Sequence, residues 1–134
     1  MRTMLAMCTV LTLAACGQGM QAGEASDITL SVEPTSAAPG DSVELVLRNN
    51  SSSDVGYNLC SSGLERRVES GWEQVPSDRL CTMELRTLPP GDEARYTLQL
   101  PADLAPGEYQ AITNAGPVDG GGGPIRSGSF QVTP

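Results

Sequence analysis

From residue 27 onward the apolar residues of this chain recur at every second position, in runs that suit strands. Ile28, Leu30 and Val32 alternate with Thr29, Ser31 and Glu33. Val43, Leu45 and Leu47 alternate with Glu44, Val46 and Arg48, and Tyr96, Leu98 and Leu100 with Arg95, Thr97 and Gln99. Side chains leave the two faces of an extended strand in turn, so each run has one apolar and one wet face, with Val46 the one imperfect outward position. No long stretch spaces its apolar residues for an amphipathic helix. The pattern predicts an all-β chain of antiparallel strands.

A recurrent corner precedes three of the runs: Pro39-Gly40, Pro90-Gly91 and Pro106-Gly107, each followed by an acid. Proline presets φ at the second place of a turn and glycine accepts positive φ at the third, which together predict a type II turn at the start of a strand. The pairs are unevenly spaced, so they share turn chemistry and are not a duplicated unit. Further strands are expected over 55–60, 64–69, 72–75, 82–88, 109–113 and 125–132, with Ser70-Gly71 as a two-residue hairpin loop. "NNSSSD", 49–54, and "GPVDGGGGP", 116–124, read as polar or glycine-rich connections. Eight or nine short strands in residues 27–134 predict a two-sheet antiparallel sandwich.

The first sixteen residues, "MRTMLAMCTVLTLAAC", differ from the rest. The apolar run from Met4 to Ala15 is shorter than the about 20 residues a membrane-crossing helix needs, but it suits the hydrophobic part of an export signal. Leu13, Ala14, Ala15 and Cys16 resemble the lipobox of bacterial lipoproteins. The resemblance implies diacylglycerol transfer to the Cys16 sulfur, cleavage before it and acylation of the new amino terminus. Several acyl chains, at about 0.8 kcal/mol per buried methylene, make a lasting anchor. Residues 1–15 are then a signal peptide, 16–26 the lipidated Cys and a flexible polar tether, and 27–134 the domain. Gly17 is not the Asp that the resemblance associates with inner-membrane retention. The expected location is the cell envelope, and the outer membrane where the host has two. Release after ordinary cleavage, or translation from Met20, are the alternative readings of this segment.

"LAPGEYQA", 104–111, resembles the Leu, Pro-Gly, Tyr corner between the fifth and sixth strands of fibronectin type III and immunoglobulin-like domains. The resemblance implies a tyrosine corner, in which the Tyr109 hydroxyl bonds back to nearby backbone. With "SVELVLRNNSS", the Ser70-Gly71 hairpin and "LPPGDEARYTLQL", the order of segments resembles bacterial immunoglobulin-like domains of exported lipoproteins over residues 27–132. The chain departs from antibody-type domains, because its two domain cysteines are expected on different strands and Trp72 follows a hairpin. Antigen-style recognition is not implied.

With Cys8 in the signal and Cys16 lipidated, Cys60 and Cys81 are the mature domain's remaining pair. Export would place them in an oxidising compartment, where a bridge closing their loop of about 22 residues is worth roughly 3 kcal/mol. A structural disulfide is expected; the spacing is not Cys-x-x-Cys, and zinc would need further nitrogen or sulfur ligands. The chain has no His, which removes Ser-His-Asp and Cys-His catalysis and the commonest metal ligand. Met83 is the only Met beyond residue 20, too little for a thioether copper site. Catalysis would have to rest on carboxylates such as Glu65, Glu69, Glu73, Asp92 and Glu93, which are expected to be solvated. Gly120–Gly123 lack the Lys and helix of a phosphate cradle, and Asp119 alone is far short of a calcium site. No enzyme activity, cofactor or metal is expected. A net charge of −8 repels phosphate, so no nucleic-acid partner is expected.

The expected function is a non-catalytic, membrane-anchored envelope lipoprotein acting as a binding or structural immunoglobulin-like module. Its partners would be the membrane, through the N-terminal lipid, and another envelope protein or polymer. The contact residues expected are Asn49, Asn50, Asp54 and Asp119, in the connections 49–54 and 116–124, because a rigid sandwich carries its binding residues on loops. The alternative is a proteinase-inhibitor-like sandwich, which the chain resembles in its Asn after the second strand and its late Pro-Gly corner. An exposed loop would then occupy a protease cleft. A carboxylate hydrolase is the third reading and requires two acids about 5 to 9 Å apart across a cleft.

Overall fold

The computed structural model describes residues 27–134; the signal segment, Cys16 and the tether lie outside the described residues. The strands are β1 (Ile28–Glu33), β2 (Ser36–Ala37), β3 (Ser42–Asn49), β4 (Val55–Tyr57), β5 (Gly63–Val68), β6 (Gly71–Gln74), β7 (Arg86–Leu88), β8 (Glu93–Gln99), β9 (Gly107–Pro117), β10 (Gly123–Arg126) and β11 (Phe130–Val132). They form an all-β sandwich of two sheets. The first has the order β1-β3-β8, antiparallel throughout. The second is organised by the long β9, which pairs with β11 and β10 along one edge and with β5 and β4 along the other. β2 adds parallel to β11, β6 to β5, and β7 to β4. The chain changes sheets between β1 and β2, where the Glu33–Pro34 peptide is cis.

The period-two residues fill the space between the sheets. Leu30, Val32, Leu45, Leu47 and Leu98 come from the first sheet and meet Val55, Leu64, Tyr109, Ala111 and Phe130 from the second. The rings of Tyr109 and Phe130, adjacent across the β9–β11 pair, lie 6.1 Å apart. Val46 is also buried, at 1% exposure, yet it stands outside this core cluster. It lies between Ser31 and Arg95 on the central strand, on the face that carries Glu33, Glu44, Arg48, Glu93 and Arg95. The stems of such long side chains cover an apolar residue while their charges stay wet.

Those charges form a network centred on Arg95, which reaches Glu44 at 3.4 Å, Glu33 at 3.5 Å and Glu93 at 3.1 Å, while Arg48 binds Glu93 at 2.9 Å. Glu33 and Glu44 are direct cross-strand partners, a like-charge pairing that disfavours the sheet unless a cation sits between them. Hydrogen bonds from Arg48 and then Arg95 hold the Glu93 carboxyl below its usual pKa. Replacing Arg95 with Met is expected to lower the urea midpoint slightly near neutral pH at low salt, and less at high salt. Because the Glu93 pKa is depressed on folding, its contribution is complete above the ordinary glutamate range and is lost as pH falls through the lower folded value. Urea titrations of the two proteins should therefore converge in acid.

The corners at Pro39-Gly40 and Pro90-Gly91 are type II turns. Gly40 has φ 84° and Gly91 φ 80°, and the turns close through Asp41 N–H to Ala38 O at 3.1 Å and Asp92 N–H to Pro89 O at 3.2 Å. The third corner differs, since Gly107 has φ 156° and already belongs to β9. The Ala105 carbonyl that would close a turn there accepts the Tyr109 hydroxyl instead.

Several expected boundaries also shift. The two residues of the β5–β6 loop are Glu69 and Ser70, because Val68 pairs with Gly71. Across that hairpin Arg67 lies over the Trp72 ring at 5.3 Å. The strand expected over 55–60 stops at Tyr57. Tyr57 pairs with Ala115 and Gly63 with Ile112, so residues 58–62 oppose only 113 and 114. The surplus forms a bulge containing one 3-10 turn, Leu59–Ser61. The strand expected over 82–88 shrinks to Arg86–Leu88 for the same reason, since its partner β4 has no residues beyond Tyr57 for 82–85 to pair with. The strand expected over 125–132 divides into β10 and β11. Between them the Ser127 hydroxyl accepts the Ala111 N–H at 2.8 Å.

Candidate functional site

The two connections expected to carry binding residues lie side by side at one end of the sandwich. Val55 pairs with Pro117, and the Val118 N–H reaches the Asp54 carbonyl at 3.3 Å. The Pro90-Gly91 corner joins them, its Gly91 N–H donating to Asn49 O at 2.7 Å. Asn50, Asp54, Asp92 and Asp119 are exposed there. The glycine-rich connection is shorter than expected, because Gly116 and Pro117 end β9 and Gly123 and Pro124 start β10, leaving 118–122 as the loop. A Cβ on Gly116 would lie 2.7 Å from the Gly122 Cα, so glycine lets the hairpin fold against itself.

Asn49 corrects the sequence reading. It is the last residue of β3 and has no solvent exposure, so it presents nothing to a partner. Its amide nitrogen donates to the carbonyls of Ser53 and Leu88, both at 2.8 Å. Its oxygen accepts from the Ser51 N–H at 3.0 Å and the Ser51 hydroxyl at 2.5 Å. Asn49 therefore builds the loop that Asn50 and Asp54 display.

At the opposite end of β9 the Tyr109 hydroxyl donates to Ala105 O, four residues upstream, at 2.6 Å. The ring is buried at 1% exposure, so the bond satisfies a group with little water available. Tyr109→Phe is expected to cost about 1 kcal/mol, the net worth of one hydrogen bond. Chemical denaturation should show a lower midpoint with an unchanged slope.

A second feature lies on the edge of the second sheet, in the β6–β7 connection. Cys60, in the bulge, is bonded to Cys81, in the connection, so neither cysteine lies on a strand. The Asn58 amide donates to Thr82 O at 2.8 Å. Arg79 donates from Nε to Cys60 O at 2.9 Å and from Nη2 to Ser62 O. Leu80 and Met83 project almost fully, at 95% and 99% exposure, and Leu85 is 65% exposed. Next to the connection a cleft of about 580 Å³ opens between it and the exit of β8, with Leu64, Val75, Leu98 and Leu100 in its walls. Ser62 also lines it, and its buried hydroxyl has no hydrogen-bond partner among the described residues.

A family model described as a bacterial Ig-like domain matches residues 24–116, more than half of the chain. The chain belongs to the bacterial Ig-like domain family. Among solved structures it is similar to the Bordetella pertussis protein assigned as ApaA, at 14% identity and a TM-score of 0.50, over 79% of this chain and 89% of that one. At that identity the likeness shows the fold alone. A beta-glucosidase from Listeria innocua in complex with gluconolactone aligns over 79% of this chain at 18% identity and a TM-score of 0.33. The Ig-like chain spans only 16% of that protein. No curated protein sequence matches the chain.

Domains of the bacterial Ig-like family are typically non-enzymatic binding or structural modules. Two carboxylates of this Ig-like domain, Glu65 and Glu93, are held below the usual pKa, the direction that keeps them ionised. Glu65 is held down by its hydrogen bond from Arg126 at 2.9 Å, against some burial, with help from Gln110 at 2.8 Å. Glu93 lies in the network around Arg95. A general acid needs the opposite shift. The feature of this Ig-like domain that sequence reasoning missed is the projecting apolar connection, which the reading of 82–88 as a strand had placed in a sheet. Its own residues gave no warning, since Cys81, Met83 and Leu85 alternate with Thr82, Glu84 and Arg86 as a strand would.

Proposed function

We propose that the protein is an envelope lipoprotein in which lipid on Cys16 anchors an Ig-like domain that serves as a non-catalytic binding or structural module. The observation that carries this reading is the Leu13-Ala14-Ala15-Cys16 motif at the end of an apolar run, standing ten residues ahead of an Ig-like sandwich. The disulfide supports export, because such bridges persist where thiols are not kept reduced. The position of β1 adds an orientation. Ile28 pairs with Asn49, so the tether joins the domain at the end bearing 50–54 and 118–122. Residues 17–26, even fully extended, reach about 35 Å. In this reading the loop end is the part of the domain nearest the anchor along the chain, and its ligands would lie within tether reach of the membrane. Exposed Asp54, Asp92 and Asp119 keep this end off anionic headgroups.

Membrane fractionation of the native protein and a Cys16→Ser variant tests the reading. The native protein should partition with membranes, and the variant should be released or remain unprocessed. The intact non-reduced mass should correspond to a chain starting at Cys16, plus acyl groups and minus two hydrogens. Soluble, unacylated, full-length native protein would overturn it.

A further inference from the structure

Residues 81–86 are fastened at both ends to one short stretch of chain, residues 56–60. On the N-terminal side Cys81 is covalently bound to Cys60, and Asn58 holds the Thr82 carbonyl at 2.8 Å. On the C-terminal side the Leu85 side chain closes over Gly56, leaving a Cβ there only 3.2 Å from a Leu85 methyl carbon, and Arg86 pairs with Tyr57 at the start of β7. Met83 projects between these anchors at 99% exposure. Residues 80–85 belong to no strand ladder.

An endopeptidase binds its substrate as an extended segment whose N–H and C=O groups are free to pair with the cleft, while one side chain fills a specificity pocket. Exposed loop tips are the usual sites of nicking. The 80–85 segment leaves the Met83 and Glu84 backbone groups without hydrogen bonds among the described residues, although Asn58 holds the Thr82 carbonyl, and it carries Leu80, Met83 and Leu85 in water. It differs from an ordinary substrate because both sides of the Met83–Glu84 bond are fixed to the same scaffold, so little chain entropy remains to be lost on binding.

We propose that residues 80–85 are a substrate-like inhibitory loop for serine endopeptidases that accept a long apolar side chain, with Met83 in the specificity pocket. The protease serine oxygen attacks the Met83 carbonyl carbon, and the bond to the Glu84 nitrogen breaks. The serine proton passes through the protease's base to that nitrogen, giving an acyl ester and a free amine. In a flexible substrate the amine departs and water hydrolyses the ester. Here Leu85 and Arg86 hold the amine beside the ester, while the disulfide and Asn58 hold the acyl side. The amine attacks the ester, the peptide bond re-forms and the proton returns to the serine oxygen. The protease remains occupied without net consumption of the loop. The acyl intermediate excludes metalloproteases, which deliver water directly, and among enzymes that acylate a side chain the proposal commits to the serine class. Acylation of Cys16 has no part in this inference, which stands or falls separately from the anchoring.

The test uses the full-length oxidised protein against chymotrypsin and subtilisin, with chromogenic peptide substrates. Near-stoichiometric inhibition with slow cleavage confined to Met83–Glu84 is expected for at least one enzyme. Met83→Asp should weaken it about 100-fold or more, as loss of a buried anchor does at protein interfaces. Met83→Arg should transfer inhibition to trypsin, a gain that a structural role for Met83 would not produce. Asn58→Ala should inhibit at first and then be cleaved and lose potency. Circular dichroism melts confirm that each variant is folded. The proposal is overturned if neither enzyme is inhibited, if the loop is cleaved at the rate of an unstructured peptide, or if folded Met83→Arg leaves trypsin unaffected.

Discussion

Replacing Cys60 and Cys81 together with Ser is expected to lower the thermal midpoint by about 15 °C, corresponding to roughly 3 kcal/mol. The bridge spans a sequence separation of 21, and within it lies the whole β5–β6 hairpin. Without the bond the unfolded chain regains the freedom of that loop, which is where the chain-entropy account puts most of the loss. The native state loses little packing at the bridge, because Cys60 and Cys81 are both only half-buried. Paired melts of oxidised, reduced and double-Ser protein measure the effect. Reduced and double-Ser protein should agree, and a midpoint within a degree or two of the oxidised protein would refute the expectation. Because the same bond holds the 80–85 connection to the bulge, reduction should also expose Leu80–Leu85 to general proteolysis before the sandwich itself unfolds.

Asn49→Ala is expected to cost about 3 kcal/mol, several times the effect of an ordinary surface change. The substitution removes the partner shared by the Leu88 and Ser53 carbonyls and the Ser51 N–H, and the bond to Leu88 is the buried one of the three. Asn49→Asp is expected to be worse near neutral pH. It places a carboxylate oxygen where the amide nitrogen now stands 2.8 Å from two carbonyl oxygens. Burial and those carbonyls would raise the folded pKa of the new acid above its unfolded value. The raised pKa means the penalty is greatest above the folded pKa and eases as pH falls through it, so the two variants should approach each other in acid. Denaturation curves at several pH values would show this. A full-strength Asn49→Asp protein at pH 7 would mean that the loop is not organised through this amide.

How far the sequence could be read depended on how local each decision was. Alternation in β1 and β8 was legible because a strand between a core and water imposes its period directly on the residue types. The turns at Gly40 and Gly91 were legible because proline and glycine constrain φ within four residues. The third Pro-Gly pair carried the same local signal and still formed no such turn, because Gly107 is drawn into β9 and the Ala105 carbonyl accepts the Tyr109 hydroxyl. "NNSSSD" looked uniformly solvated, although the alternation of Val43, Leu45 and Leu47 continues to Asn49 and puts it, unlike Asn50, on the core face. What Asn49 holds there, the Leu88 carbonyl, lies 39 residues away in sequence. The 82–85 segment failed as a strand because its would-be neighbour had bulged away, which the segment's own residues do not encode.

By itself the sequence determined the all-β class, the positions of the two true type II corners and the pair of thiols available to a bridge. It also made the N-terminal motif visible. These follow from side-chain period, restricted dihedrals and composition, which act over a few residues. Tertiary structure alone decided what the inward Asn49 would brace, where the long strand opposite β9 would break, and which apolar side chains would remain in water. Burial and ladder pairing depend on backbone brought from far along the chain. For that reason Met83 projects between two anchors while Val46, on a nominally wet face, is covered.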